Sequence, residues 1–156
     1  MRGGGEIYHH TQRGTGVVAG ICAAIALVGW ARWDHPREGA VLAGALALGA
    51  LTLLLFATLT VRVTEDAIAI AFGLGIVRKR FALADVQDAR AVRNRWWYGW
   101  GIRRIPGGWL YNVAGLDAVE LRLASGRTVR IGTDEPERLL AAIRQARARL
   151  PGRGAP

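Results

Sequence analysis

Acidic residues are scarce in this chain, and cysteine and lysine are almost missing. There are 12 Asp and Glu against 21 Lys and Arg, one cysteine and a formal net charge of +9. A single thiol, Cys22, can close no disulfide and cannot build a cysteine metal cage. Lying in an apolar run, it reads as a small buried hydrophobe. Lys79 is the only lysine, so the positive charge is an arginine charge, as readily a mark of genomic base composition as of function. No nucleophile elbow, phosphate-binding glycine loop or metal-ligand cluster is present. His9 and His10 are adjacent, and neighbouring histidines rarely reach one ion together. Asp117 and Glu120 are the nearest thing to an acid/base pair, but Glu120 alternates outward on a strand and Asp117 belongs to a turn. The expectation is therefore a protein that is not an enzyme and has no cofactor and no metal. A basic surplus seeks anions, and a chain tied to a bilayer finds them in lipid head groups before nucleic acid.

Charge is missing altogether from two long stretches. Residues 39–61 carry none between Glu38 and Arg62, and at ~1.5 Å per residue one helix of that length spans a bilayer core of ~30 Å. A buried core helix would also be apolar all round, but would seldom run so long. Residues 14–31 form the second run, with Trp30 and Trp33 at the interface. A cleaved signal peptide is the rival reading; its apolar region is normally ~7–15 residues, and this run is longer and ends in GWARW. Pro36 and mixed charges make a tight polar turn between the runs, so residues 14–61 read as an antiparallel two-helix transmembrane hairpin. Gly16, Gly20 and Ala24 are spaced to pack against Ala40 and Gly44. Arg62, Arg78, Lys79 and Arg80 after the second helix, with Arg2 and Arg13 before the first, place both termini in the cytoplasm and the turn outside, as a multi-pass membrane protein.

The hairpin divides the chain. Residues 1–13 are Gly-rich and polar and read as a disordered tail, as do residues 151–156. Residues 62–150 switch to strand periodicity. Ile68, Ile70 and Phe72 alternate with alanines, Gly73-Leu74-Gly75 turns the chain, and residues 76–81 return as a basic strand. Residues 83–86 form a corner into a strand over residues 86–93. Val119, Leu121 and Leu123 alternate with Glu120 and Arg122, Ser125-Gly126 turns, and Val129 and Ile131 alternate back, which is an antiparallel hairpin with Glu120, Arg122, Thr128 and Arg130 in water. A helix follows to about Leu150, with Asp134 as cap, Glu137 completing a capping box, and Leu139, Leu140, Ile143, Ala146 and Leu150 inward.

Two membrane helices, short antiparallel strands and one terminal helix are together similar to the bacterial pleckstrin-homology-like (bPH) membrane proteins. The segment YGWGIRRIPGGWLYN, followed by AVELRL and RTVRIGTDEPERL, also resembles a stretch found in small bacterial membrane proteins. The resemblance spans residues 14–150. It implies a membrane helical hairpin plus an α+β cytoplasmic domain: a strongly bent antiparallel sheet, or partly open barrel, closed at one end by the C-terminal helix. It implies no enzymatic activity and carries over no catalytic residue. The chain departs from lipid-binding eukaryotic members in having only Arg78, Lys79 and Arg80 as basic residues of the first hairpin.

The most unusual stretch is residues 90–111. Around Trp96, Trp97, Tyr98 and Trp100 stand Arg93, Arg95, Arg103 and Arg104, with glycines and no acid. Trp and Tyr favour the head-group layer, and Arg beside anionic lipid gains roughly 1 kcal/mol per charge. These eight residues are the candidate membrane- or partner-contact site. In the alternative, some rings fill the core, Trp109 and Tyr111 foremost because they lie in a strand-like run. A third reading makes the loop an anchor for a protein partner or a homo-oligomer, or turns an open sheet edge to self-assembly.

Overall fold

The computed structural model describes residues 5–31 and 39–150. The polar turn between the two apolar runs and the terminal residues 1–4 and 151–156 lie outside them. Strand β1 (Glu6–Arg13) leads into helix α1 (Thr15–Ala31), and helix α2 (Gly39–Phe56) leads into β2 (Thr58–Thr64). Then come β3 (Ala67–Phe72), β4 (Val77–Ala82), β5 (Val86–Arg93), β6 (Gly101–Ile105), β7 (Gly108–Asn112), β8 (Asp117–Leu123), β9 (Thr128–Gly132) and helix α3 (Pro136–Ala148). The strands form one sheet of order β1-β2-β3-β4 and another of order β5-β8-β9-β7-β6, so the class is α+β. The second sheet is mixed: β7 runs parallel to β9, pairing Trp109 with Val129 and Tyr111 with Ile131.

Three expectations change at the join between helices and sheet. Residues 6–13 are not a disordered tail but a strand, in register with β2 from Tyr8↔Val63 to Arg13↔Thr58. Helices α1 and α2 bring Gly14 and Ala57 side by side, where the Gly14 N–H donates to the Ala57 carbonyl at 2.6 Å. Pairing the flanking residues then closes almost no new loop. The long apolar run is also not helical to Val61: α2 stops at Phe56, and Thr58, Thr60 and Val61, all β-branched, belong to β2. Accordingly the sheet domain begins at Thr58, not at residue 62, and takes in β1.

Helix α2 is long and apolar enough to cross a membrane, while α1, also apolar, is one residue shorter. No residue of α1 is buried, and Gly49 alone is buried in α2. The helices touch where Gly49 lets Ile21 and Ile25 approach; a Cβ there would stand 3.0 Å from Ile25. The expected small-residue seam is not used. Gly20 and Gly44 have open space where a Cβ would be, and Gly16 faces a tryptophan ring instead.

Between the sheets lies one apolar core. Leu59, Val61 and Val63 of β2 meet Ile68, Ile70 and Phe72 of β3, with Val119, Leu121, Val129 and Ile131 opposite. Helix α3 closes it with Leu139, Leu140, Ile143 and Ala146, the inner face that 3.6-residue spacing gives. Each fully buried Leu or Ile contributes about 1.5–3 kcal/mol. The cap of α3 differs from expectation. Glu135 holds the N-cap position without a side-chain bond, the Thr133 Oγ1 accepts the Glu135 N–H at 3.1 Å, and Asp134 pairs instead with His10 Nε2 at 2.7 Å. Pro136 in the first helical turn leaves fewer amides for a capping box to satisfy.

Candidate functional site

The stretch from β5 to β6 folds on itself. Trp96–Tyr98 form a 3-10 turn in which the Tyr98 N–H donates to Arg95 O at 3.0 Å and the Gly99 N–H to Trp96 O at 3.3 Å. Gly99 leaves the turn at φ 67°, a conformation that strains any residue with a Cβ. The rings of Trp96 and Trp97 meet edge to face at 5.8 Å, Tyr98 stands edge-on to Trp97 at 6.3 Å, and the Arg95 guanidinium lies 5.0 Å over Trp97. Trp96 is 76% exposed and Trp97 56%, so these rings pack on one another and not in the core.

Trp100 points elsewhere, against the first turn of α1. A Cβ on Gly16 would lie 2.7 Å from its ring, so only glycine lets the indole rest there. Arg103 Nε holds the carbonyl of Trp100 at 3.1 Å. Arg104, on the opposite face of β6, is in register with Trp109 and is not part of the loop cluster. Arg93 ends β5 opposite Asp117. The structure thus gathers Arg95, Trp96, Trp97, Tyr98, Trp100 and Arg103, with Arg93 at the margin and Arg104 apart. Tyr111 is in the core as expected, but Trp109 is 42% exposed, because β7 lies near the open side of the sandwich.

Glu120 does not face water. It is 7% exposed, and Arg90 donates to Oε1 from Nε at 2.9 Å and Nη2 at 2.5 Å while Arg130 Nε donates to Oε2 at 2.7 Å. Burial pushes this carboxyl up, but the hydrogen bonds and charges of Arg130 and Arg90 outweigh it and hold Glu120 below the usual carboxylate range. Arg130 also donates from Nη1 to Asn94 Oδ1 at 3.2 Å and lies 5.9 Å over the Tyr98 ring. Glu120 therefore orients the guanidinium on which the aromatic loop leans. Alternation alone could not reveal this, because the loop covers the outward face of the sheet.

A second element escaped the sequence reading. Leu74 and Ile76, in the β3–β4 turn, are both exposed. The Leu74 N–H donates to Leu54 O in the last turn of α2, at 3.4 Å. Two exposed aliphatic residues in a glycine turn, where polar residues are the norm, were the available signal. The turn and Trp100 thus flank the ends of α2 and α1 that join the sheets. Among the described residues no three His, Cys, Asp or Glu side chains gather as metal ligands. Comparison with protein-family models, with curated proteins and with solved structures finds no match.

Proposed function

We propose that this is a non-enzymatic, membrane-anchored interaction module of pleckstrin-homology-like architecture, whose Arg/Trp loop docks on an anionic bilayer surface. In this reading α1 and α2 cross a bacterial inner membrane as a hairpin, with both termini and the sheets on the cytoplasmic side. Two packed sheets closed by a C-terminal helix support the architecture. Two apolar helices with a single buried residue between them need an apolar cover, and a bilayer supplies it.

The observation that carries the docking reading is the seat of Trp100 on Gly16. It sets the aromatic loop at the level where α1 begins, the depth at which Trp and Tyr are most favourable. Leu74 and Ile76 beside the end of α2 give a second apolar contact at that depth. Arg95 and Arg103 stand among the rings, each charge gaining about 1 kcal/mol near anionic lipid.

The test uses the full chain in nanodiscs of phosphatidylcholine with or without phosphatidylglycerol, with lipids brominated near the head group as quenchers of tryptophan emission. A variant with Trp96, Trp97 and Trp100 changed to Ala keeps Trp30, Trp33 and Trp109 as baseline, and hydrogen exchange in β8 and β9 verifies its fold. The expected result is quenched emission from the three loop residues that grows with phosphatidylglycerol and shrinks with salt. If those residues add no quenched emission in either lipid, the docking reading fails. A second reading, self-association at the membrane, is favoured by the outer edges of β4 and β6, which pair with no strand among the described residues. It predicts two copies per disc in crosslinking, independent of lipid charge.

A further inference from the structure

The sandwich is closed on one side by β1 and α3 and open on the other, between β4 and the β6–β7 hairpin. A groove of about 460 Å³ occupies the opening, within the ~300–1,000 Å³ typical of small-ligand clefts. Its walls are apolar: Phe81, Ile102, Tyr111, Leu123 and Val129. Its basic groups are Lys79, Arg80 and Arg127, against one acid, Asp85. Arg80 is already paired with Asp66 at 2.5 Å, which leaves Lys79 and Arg127 as the available cations.

Two details mark the groove as more than a gap. Lys79 shares the inward-facing register of β4, in line with Ile70 as Phe81 is with Ile68, but is exposed at the open side, and its ammonium has no protein partner among the described residues. A lone inward charge on an edge strand also guards against strand addition, but that role asks nothing of the opposite wall. There Tyr111 is 5% exposed, lines the groove, and its hydroxyl has no partner among the described residues. Burial raises the Tyr111 pKa while the nearby Arg127 charge opposes it. The ring is buried but its hydroxyl still reaches the water of the groove, so it is free to donate to an anionic group that replaces that water.

We propose that this groove binds an anionic amphiphile, its head group on Lys79, Arg127 and the Tyr111 hydroxyl and one alkyl chain against Phe81, Ile102 and Val129. Edge strand β4 and the β8–β9 turn supply the cations and the strands the apolar side chains, so neither a bare anion nor a neutral chain satisfies both. The inference is independent of docking by the aromatic loop, whose residues do not line the groove.

Because Lys79 is the only lysine, amine acetylation followed by mass spectrometry reads this site alone, with the N-terminal amine as internal control. The full chain in phosphatidylcholine nanodiscs is treated with decyl phosphate, with inorganic phosphate, or with decyl maltoside. With decyl phosphate at ~10 times its Kd, acetylation of Lys79 slows about tenfold while the N-terminal amine is unaffected. Inorganic phosphate and decyl maltoside give no such protection, and Arg127→Gln and Tyr111→Phe each weaken it. A parallel arm with phosphatidylglycerol and no probe separates the sources. Protection there that Arg127→Gln removes identifies a bilayer lipid as the ligand; protection by decyl phosphate alone identifies a diffusible one. No protection by either, equal protection by inorganic phosphate, or protection unchanged in both variants overturns the proposal.

Discussion

The seat of Trp100 on Gly16 can be tested by a double-mutant cycle. An ideal Cβ at residue 16 lies 2.7 Å from Cζ2 and 2.9 Å from Cε2 and Cη2 of the indole, well inside the ~3.5–4.0 Å optimum for carbon atoms. Helix α1 cannot retreat easily, because its first turn is held through Gly14 to Ala57 and by β1. The ring must move instead. Trp100 is 43% exposed, so a little over half of a side chain that buries ~150–250 Å² is at stake, and swinging it out forfeits on the order of 2–3 kcal/mol at ~25 cal/mol per Å². Alanine returns at most ~0.5–1 kcal/mol of helix propensity, less in a first turn. Gly16→Ala should therefore destabilise the protein by about 1–2 kcal/mol, and should be neutral or mildly stabilising when Trp100 is already Ala. Reversible unfolding in neutral micelles titrated with SDS, followed by circular dichroism, measures all four corners. Additivity within ~0.5 kcal/mol would mean that the ring and the helix do not touch. The loop would then not be held at the level of the α1 terminus, and docking by it would lose its support.

Three further outcomes follow from the geometry. Glu120→Gln removes the carboxylate shared by Arg90 and Arg130; with Arg90 able to reach water and Arg130 largely enclosed, the loss should be about 1–3 kcal/mol, with Tyr98 loosened in hydrogen exchange. Since the folded pKa of Glu120 is lowered, its stabilisation is complete above the unfolded-state value of 4.5 and is lost as pH falls from there through the lower folded value. Denaturation midpoints of the wild type should thus drop over that acid range more than those of Glu120→Gln. Gly73→Ala forces a Cβ onto the Leu54 carbonyl at a φ of 51° and should cost upwards of ~2 kcal/mol by thermal unfolding; a neutral result would place the β3–β4 turn away from α2. Deleting residues 1–13 strips β1 from β2, and a chain lacking them should aggregate on purification through the bared β2 edge, while one that stays monodisperse and folded would show β1 to be dispensable.

Legibility tracked how far each side chain's fate was decided by its own neighbours in sequence. The β8–β9 hairpin and the inner face of α3 are readable because period and turn residues settle them locally, whereas the strand over residues 86–93 has no clean alternation and is signalled only by the corner before it. Residues 6–13 are not readable, because EIYHHTQR alternates without an apolar set. Its inward positions, Tyr8, His10 and Gln12, are polar, and Gln12 is buried by donating to Ala114 O at 3.2 Å. Glu120 failed for the opposite reason. Its alternation was read correctly, but the outward face of a strand is solvent only if nothing returns to cover it. The aromatic loop was legible as composition; that Trp100 leaves its neighbours to lie on α1, and that Arg104 turns away from Arg103, needed the register of β6.

The join between hairpin and sheets bears most directly on mechanism. One residue, Gly14, separates β1 from α1, and one, Ala57, separates α2 from β2. Both joins are bridged by backbone hydrogen bonds, including Ala57 N–H to Leu53 O at 2.8 Å. A domain on a flexible linker samples many orientations and gives up that freedom when it docks. Here the paired strands continue the paired helices, so under the proposed membrane anchoring an embedded hairpin would already hold the loop and the β3–β4 turn near the head groups. Individually weak contacts then suffice to hold them, and salt should release the loop without freeing the domain. Loss of the aromatic residues should accordingly change what the surface recognises more than where the protein resides.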